Sequence, residues 1–194
     1  MRLRLMFLAL LGVLLTAPVQ AESPPLPQVD FQGDWQLQDG SGDMIQSMTM
    51  RYSVEEPVMA IFVSAEGMEM NAIRRMESGE MIMWTSAMPG MAMRMTIPQE
   101  ELTADATNTG RREEVNGEAC TIWTANDAEV CVSDDGIPLE SRFDGGVAQL
   151  VNIDRAPQDG ASFGPPEGVQ VMDLPANMLG ENMPMPGEGF GLPF

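Results

Sequence analysis

Methionine is the residue type whose abundance and spacing in this chain could support chemistry. The chain has 19 methionines among 194 residues, and between residues 44 and 95 many of them recur at every second position. Residues two apart on a β-strand point to the same face, about 6.5–7 Å from each other. If these segments form neighbouring strands, their thioethers lie on a common side. The sets with this spacing are Met48/Met50, Met68/Met70, Met81/Met83 and Met91/Met93/Met95.

Three interpretations of these methionines stay open. They could be ordinary core packing, because Met fills irregular gaps. They could line a surface that accepts varied apolar ligands such as acyl chains, because the side chain is unbranched and polarizable. They could also bind Cu(I), for which thioethers are suitable soft ligands, with residues 88–95 and 181–188 as the segments to test. We take binding of a lipid or another apolar small molecule as the prediction and Cu(I) binding as the alternative. The predicted ligand-binding residues are Met48, Met50, Met68, Met70, Met81, Met83, Met91, Met93 and Met95.

The composition excludes several other chemistries. The chain has no His, and its ten basic residues are all arginine, so it has no Lys. A Ser-His-Asp triad, a His-ligated metal and a lysine Schiff base are therefore ruled out. Acidic doublets such as Glu113-Glu114 point to opposite faces of a strand and form no carboxylate pair by themselves. A net charge of −19 repels nucleic acid. We predict a protein that is not an enzyme, with no cofactor, no bound metal and no nucleic-acid partner.

The first 21 residues have the pattern of a secretory signal peptide. A short basic start is followed by an apolar run over residues 5–15, and Val19-Gln20-Ala21 places small residues before a cleavage site after Ala21. The apolar run is shorter than the roughly 20 residues that span a bilayer. We therefore predict a periplasmic protein that is not an integral membrane protein. The predicted segments are a signal peptide (1–21), a linker (22–28), a β domain (29–175) and a disordered tail rich in Met, Pro and Gly (176–194).

The two cysteines, Cys120 and Cys131, are expected to pair in an oxidising compartment. They lie in two short strand-like runs, and a loop over residues 124–127 would place them directly opposite each other. Facing positions on antiparallel strands are within disulfide reach. The same register predicts that Trp123 and Val130 share the core face and that the disulfide lies on the other face.

The chain from residue 29 to residue 153 has a mostly two-residue apolar period, with turn signals about every ten residues. This pattern predicts an all-β domain with a mainly antiparallel sheet. Residues 98–105 are the one segment predicted as a short helix. The predicted strands cover residues 29–37, 47–52, 57–64, 68–73, 80–86, 91–97, 109–115, 119–123, 128–132, 137–143 and 147–153.

Two segments resemble periplasmic domains related to the outer-membrane lipoprotein carrier, the LolA-like family. GRREEVNGEACTIWTANDAEVCVSDDGIPLE (110–140) has the Gly-x-x-Cys-x-x-aromatic stretch, a strand and then Asp-Gly-hydrophobic-Pro. FGPPEGVQVMDLP (163–175) is similar to the segment that closes these domains. The resemblance implies a strongly curved half-barrel sheet with at most one or two short helices, whose concave face can hold lipid or acyl chains. A structural or interaction module with a partner in the cell envelope is the third class of function left open.

Overall fold

The computed structural model describes residues 23–65, 67–97, 106–125 and 128–174. Within these residues twelve β-strands form one sheet, together with a short 3-10 helix at Gly160–Ser162. The predicted signal peptide with Ala21, the predicted helix over 98–105 and the predicted tail lie outside the described residues. The strands are β1 (Phe31–Asp39), β2 (Met44–Ser53), β3 (Val58–Ala65), β4 (Met68–Arg75), β5 (Glu80–Thr85), β6 (Met91–Thr96), β7 (Thr107–Val115), β8 (Glu118–Ala125), β9 (Ala128–Ser133), β10 (Pro138–Phe143), β11 (Gly146–Asp154) and β12 (Gln170–Asp173).

The predicted all-β, mainly antiparallel fold is confirmed. Every predicted strand segment overlaps an observed strand, and most neighbours in the sheet are antiparallel hairpin partners. The exception is β12, which the sequence analysis did not predict and which pairs with β6 in parallel. The order across the sheet is β12-β6-β5-β4-β3-β2-β1-β11-β10-β9-β8-β7.

The sheet is open and must be curved. Strands β6 and β7 are ten strand spacings apart in the sheet order, which would be about 48 Å in a flat sheet. Only eleven chain positions separate Thr96 from Thr107, and they can span at most about 40 Å. The side chain of Asn116, in the turn between β7 and β8, also donates a hydrogen bond to the carbonyl of Leu150 on β11 at 3.3 Å. Both observations require the sheet to bend so that distant strands approach each other.

The main core lies on one side of the central strands and collects buried side chains from eight strands. Trp35 and Met50 are fully buried there, and the indole N–H of Trp35 donates to the Met50 sulfur at 3.3 Å. Phe31 stacks on Tyr52 with 6.0 Å between the ring centroids. Burial of its hydroxyl, with a smaller contribution from Asp30, raises the pKa of Tyr52. This layer is what fixes the positions of β1 and β2 in the sheet.

The disulfide between Cys120 and Cys131 is present, but the predicted register of its hairpin is wrong. Cys120 lies opposite Ser133, and Cys131 lies opposite Ile122, so the bridge runs diagonally across the pair, with 5.4 Å between the α-carbons. The predicted face is also wrong, because both cysteines are buried in the main core. Trp123 packs instead in a small separate cluster with Val130 and Val132. A buried disulfide is typical of proteins from oxidising, extracellular-type environments.

Among the residues that the structure describes, no helix has the length and apolar character needed to cross a membrane.

Arg155 ties the end of β11 to two other parts of the sheet. Its guanidinium pairs with Asp135 at 2.7 Å and with Glu118 at the start of β8. Burial raises the pKa of Asp135, but hydrogen bonds from Arg155 and Ser133 outweigh it and hold this pKa below its usual value. Asp135 therefore stabilises the fold above its unfolded pKa of about 3.9, and this contribution is lost as the pH falls through the lower folded pKa.

We expect Arg155→Met to lower the free energy of unfolding at pH 7 by about 1 kcal/mol, since the ion pairs are partly exposed. We also expect its stability to fall less steeply than that of the wild type between pH 5 and 3. Urea unfolding followed by tryptophan fluorescence at several pH values measures both effects. Arg112→Met is the matched control, because the side chain of its ion-pair partner Asp134 is 71% exposed. An equal loss in both variants would contradict a special role for Arg155.

Candidate functional site

The strand register places all nine predicted methionines on one face of the sheet, as their spacing predicts. One cross-strand row runs from Met50 through Ile61, Ala72 and Met83 to Met93. The rows on either side of it carry the other six predicted methionines on this same face, which we call the Met face. Whether the Met face binds a ligand stays a prediction.

The predicted methionines differ in how deeply they are buried. Met48 and Met50 belong to the main core and are closed off from solvent. Met81 and Met95 pack with Ile97 in a second small cluster. These four residues are therefore part of the buried core. Met83 and Met93 are partly exposed, and three residues are open to solvent: Met68 (50%), Met70 (47%) and Met91 (38%).

Strand β12 adds a further methionine that the sequence analysis missed. Met172 lies beside Met93 in the sheet and is 47% exposed. With it, the accessible methionines form a continuous group across β4, β5, β6 and β12, which we call the Met patch. The Met patch consists of Met68, Met70, Met83, Met91, Met93 and Met172.

The Met patch is free of charged side chains. The other positions that these strands present on the same face beside the patch are Ala72, Thr85 and Gln170. The charged residues of these strands alternate to the opposite face, apart from the buried Arg74. There Arg94 pairs with Asp173 at 2.6 Å and with Glu80 at 3.8 Å. The two faces of the same strands therefore differ sharply in polarity.

The opposite face is partly covered by a crossing segment, residues 155–169, which we call the strap. The strap leads from β11 near the middle of the sheet to β12 at its edge. Phe163 anchors it, because its ring packs against a buried cluster that includes Ala60 and Ile73. At its start, the backbone N–H of Gln158 donates to Asp30 at 3.0 Å.

A groove of about 630 Å³ lies between the strap and the sheet. Its floor comes from strands β2 to β5 and its wall from residues 161–167. Floor and wall are formed by Thr49, Arg51, Phe62, Val63, Ser64, Glu69, Asn71, Trp84, Ala161, Ser162, Gly164, Pro165, Pro166 and Glu167.

The aromatic side chains of the groove floor are held in place by specific contacts. The Arg51 guanidinium lies 5.1 Å from the centre of the Phe62 ring, and its Nε donates to Gln32 at 2.8 Å. With the Asn71 amide oriented to suit its hydrogen-bond partners, Trp84 donates its indole N–H to the Asn71 oxygen at 3.1 Å. Sequence reasoning missed this groove, because its wall and floor are distant in the chain.

A cluster of charged side chains lies on strands β7, β9 and β10. Arg142 pairs with Glu113 at 2.8 Å and with the buried Glu140 at 2.5 Å, and Arg111 pairs with Glu129 at 2.8 Å. The hydrogen bond from Arg142 holds the pKa of Glu113 below its usual value. Among the residues that the structure describes, no group of three or more His, Cys, Asp or Glu side chains is arranged to hold a metal ion. The ion pairs of this cluster link strands β7, β9 and β10.

No family model and no curated protein matches this chain. Solved structures that do match include two of PNGF-II, in space groups P21 and C2, each with a TM-score of 0.59. The identities are 10% and 11%, and each alignment covers 77% of this chain and 32% of the PNGF-II chain. The chain thus spans about a third of the length of these two PNGF-II chains. At such identities the likeness shows the fold alone, and it does not test the resemblance to LolA-like domains.

Proposed function

We propose that this protein binds an apolar ligand, such as a lipid or acyl chain, on the Met patch and does not catalyse a reaction. The observation that supports this is the uncharged group of exposed thioethers on four neighbouring strands, from Met68 on β4 to Met172 on β12. Monomeric soluble proteins rarely expose a large contiguous apolar surface unless it has a binding role. Flexible, polarizable thioethers adapt to ligands of varied shape.

The chemistry of the patch favours an uncharged apolar chain. Burial of such a chain contributes about 0.8 kcal/mol per methylene group. The net charge of −19 disfavours an anionic head group near the protein. We propose the periplasm as the compartment, in agreement with the disulfide and with the predicted cleavage after Ala21. The LolA-like resemblance of residues 110–140 and 163–175 supports the same kind of ligand.

Binding of a fluorescent monoacylglycerol analogue tests this proposal. We expect the double variant Met70→Gln/Met172→Gln to bind the probe about tenfold more weakly, because two apolar contacts are replaced by polar groups. Its melting temperature should stay close to that of the wild type, since both side chains are about half exposed. Titration by fluorescence and a thermal melt give the two readouts.

Val171→Gln is the matched control for this experiment. Val171 lies on the same strand as Met172, is 36% exposed and points to the opposite face. Its substitution should leave probe binding unchanged. No uptake of the probe by the wild type, or an equal loss of binding in the Val171 variant, would overturn the proposal.

Cu(I) binding is a second candidate that one specific observation favours. Met83, Met93 and Met172 lie side by side on three adjacent strands, and neighbouring strands of a sheet are about 4.7–4.9 Å apart. Three neighbouring thioethers form a soft donor set suited to Cu(I). Titration of Cu(I) against bathocuproine separates the two candidates. If the patch is an apolar ligand site, bathocuproine retains the metal. Removal of Cu(I) from bathocuproine by the wild type, but not by Met93→Leu, would favour copper.

A further inference from the structure

The groove under the strap lies on the face opposite the Met patch, so its function is independent of the apolar-ligand proposal. Its volume of about 630 Å³ is in the range of small-ligand sites. Its wall is held in place by the buried Phe163, which is 6% exposed, and its rim includes Pro165 and Pro166. Proline fixes the backbone, so this wall is pre-formed rather than dependent on a ligand.

Opposite charges occupy the two ends of the groove floor. Arg51 on β2 and Glu69 on β4 both line the groove. The register places them four residues apart along the strands and two strands apart across the sheet, a separation of about 16 Å between α-carbons. A ligand between them would therefore meet a cation at one end and a carboxylate at the other.

Both charged side chains have polar atoms that can still bind a ligand. Among the described residues, Arg51 uses its Nε for Gln32 and its flat face for Phe62, and no hydrogen bond or ion pair uses its terminal nitrogens. The Glu69 carboxylate likewise forms no ion pair or side-chain hydrogen bond within the described ranges. Its backbone N–H donates to the Ser86 hydroxyl, and its backbone carbonyl accepts from the Ser86 N–H. By contrast, Glu80 and Asp173 on the same face are both paired with arginine.

The floor between these ends is aromatic. Phe62, Asn71 and Trp84 follow one another across three adjacent strands in a single row. The α-carbons of Phe62 and Trp84 are therefore about 10 Å apart across the sheet, with Asn71 between them. An apolar side chain of a ligand can pack between the rings, while its backbone stays near polar groups of the floor.

We propose that this groove binds a short peptide with free termini. The C-terminal carboxylate pairs with Arg51, the N-terminal ammonium pairs with Glu69, and one apolar side chain lies between Phe62 and Trp84. Three or four extended residues span about 10–13 Å, and the long Arg51 and Glu69 side chains cover the remaining distance. A ligand with a single charge would satisfy only one end of the groove.

Calorimetric titration with alanyl-phenylalanyl-alanyl-alanine tests the proposal. We expect N-acetylation and C-amidation of the peptide each to weaken binding about tenfold, since each removes a charged hydrogen bond. The effect of N-acetylation should disappear in Glu69→Gln, and the effect of C-amidation should disappear in Arg51→Gln. Such a cycle assigns each terminus of the peptide to one residue.

Glu56→Gln is the control, because Glu56 is an exposed carboxylate outside the groove. N-acetylation of the peptide should weaken its binding to this variant as much as it weakens binding to the wild type. A thermal melt of Arg51→Gln separates loss of the Arg51–Phe62 contact from loss of ligand binding. No heat of binding at millimolar peptide, or equal binding of free and blocked peptides, would overturn the proposal. Neither result would bear on the Met patch, which lies on the other face.

Discussion

Replacing Gly79 with alanine is expected to lower the free energy of unfolding by about 3 kcal/mol. Gly79 lies in the turn between β4 and β5 with φ of +67°, a conformation that costs other residues energy. A β-carbon at this position would lie 2.2 Å from the carbonyl oxygen of Ile97. This contact cannot be relieved by a rotamer change, because the backbone fixes the position of the β-carbon and the oxygen is itself a backbone atom. Gly79 also accepts a hydrogen bond from the Ile97 N–H at 2.9 Å.

The Gly79 substitution should also affect the Met face. Ile97 packs with Met81 and Met95, so displacement of Ile97 loosens the buried layer next to the Met patch. Urea unfolding measures the stability loss, and binding of the fluorescent acyl probe reports on the patch. Gly90→Ala is the control, because Gly90 has φ of +83° but no atom within 4 Å of an added β-carbon. We expect Gly90→Ala to lower the free energy of unfolding by about 1 kcal/mol. Equal losses in both variants would show that the Ile97 contact is unimportant.

The alternation of the methionines was sufficient to predict their common face, but not their burial. Side-chain direction along a strand follows from the two-residue period alone. Burial depends on which strands lie next to each other and on the curvature of the sheet. Met50 is buried because β2 lies beside β1 and its side chain packs within the main core, whereas Met70 is exposed because β4 lies beyond that core. Nothing local distinguishes these two residues in the sequence.

The cysteine hairpin shows how a register error changes some conclusions and preserves others. The predicted loop over residues 124–127 is too long, since Ala125 already pairs with Ala128. The true register differs from the predicted one by two residues, and a shift of two keeps every side chain on its face. The grouping of Trp123 with Val130 is therefore confirmed. The predicted core face is wrong, because the curvature of the sheet decides which face of the hairpin is buried in the main core.

The groove could not be predicted, because its two sides come together only through the strand order. Residues 161–167 reach the floor on β2 to β5 because the chain continues to β12 at the far edge. The four residues of β12 are all exposed. The strand therefore has no buried face that an alternating apolar pattern could reveal in the sequence. The one available signal was Phe163 followed by Pro165-Pro166, an aromatic anchor before a rigid turn.

Removal of the disulfide by the double substitution Cys120→Ala/Cys131→Ala should lower the free energy of unfolding by about 3–4 kcal/mol. The closed loop has a sequence separation of 11 residues, for which the chain-entropy estimate is about 3 kcal/mol. The sulfurs lie in the main core, with Cys120 0% and Cys131 2% exposed, so their deletion also leaves a small cavity. Urea unfolding of the variant and of the wild type measures the difference.

The kinetics of reduction then distinguish the observed position of the bridge from the predicted one. A disulfide in the core is reached by dithiothreitol only when the hairpin opens, so its reduction should be slow and should accelerate with added urea. A disulfide on the solvent face would be reduced quickly, at a rate almost independent of urea.

The variants Val130→Ala and Ile122→Ala test on which face of the hairpin the bridge lies. Ile122 packs on the disulfide side and Val130 on the Trp123 side, so we expect only Ile122→Ala to speed reduction beyond its effect on global stability. Fast, urea-independent reduction of the wild type would contradict the burial of the bridge and, with it, the assignment of the core face.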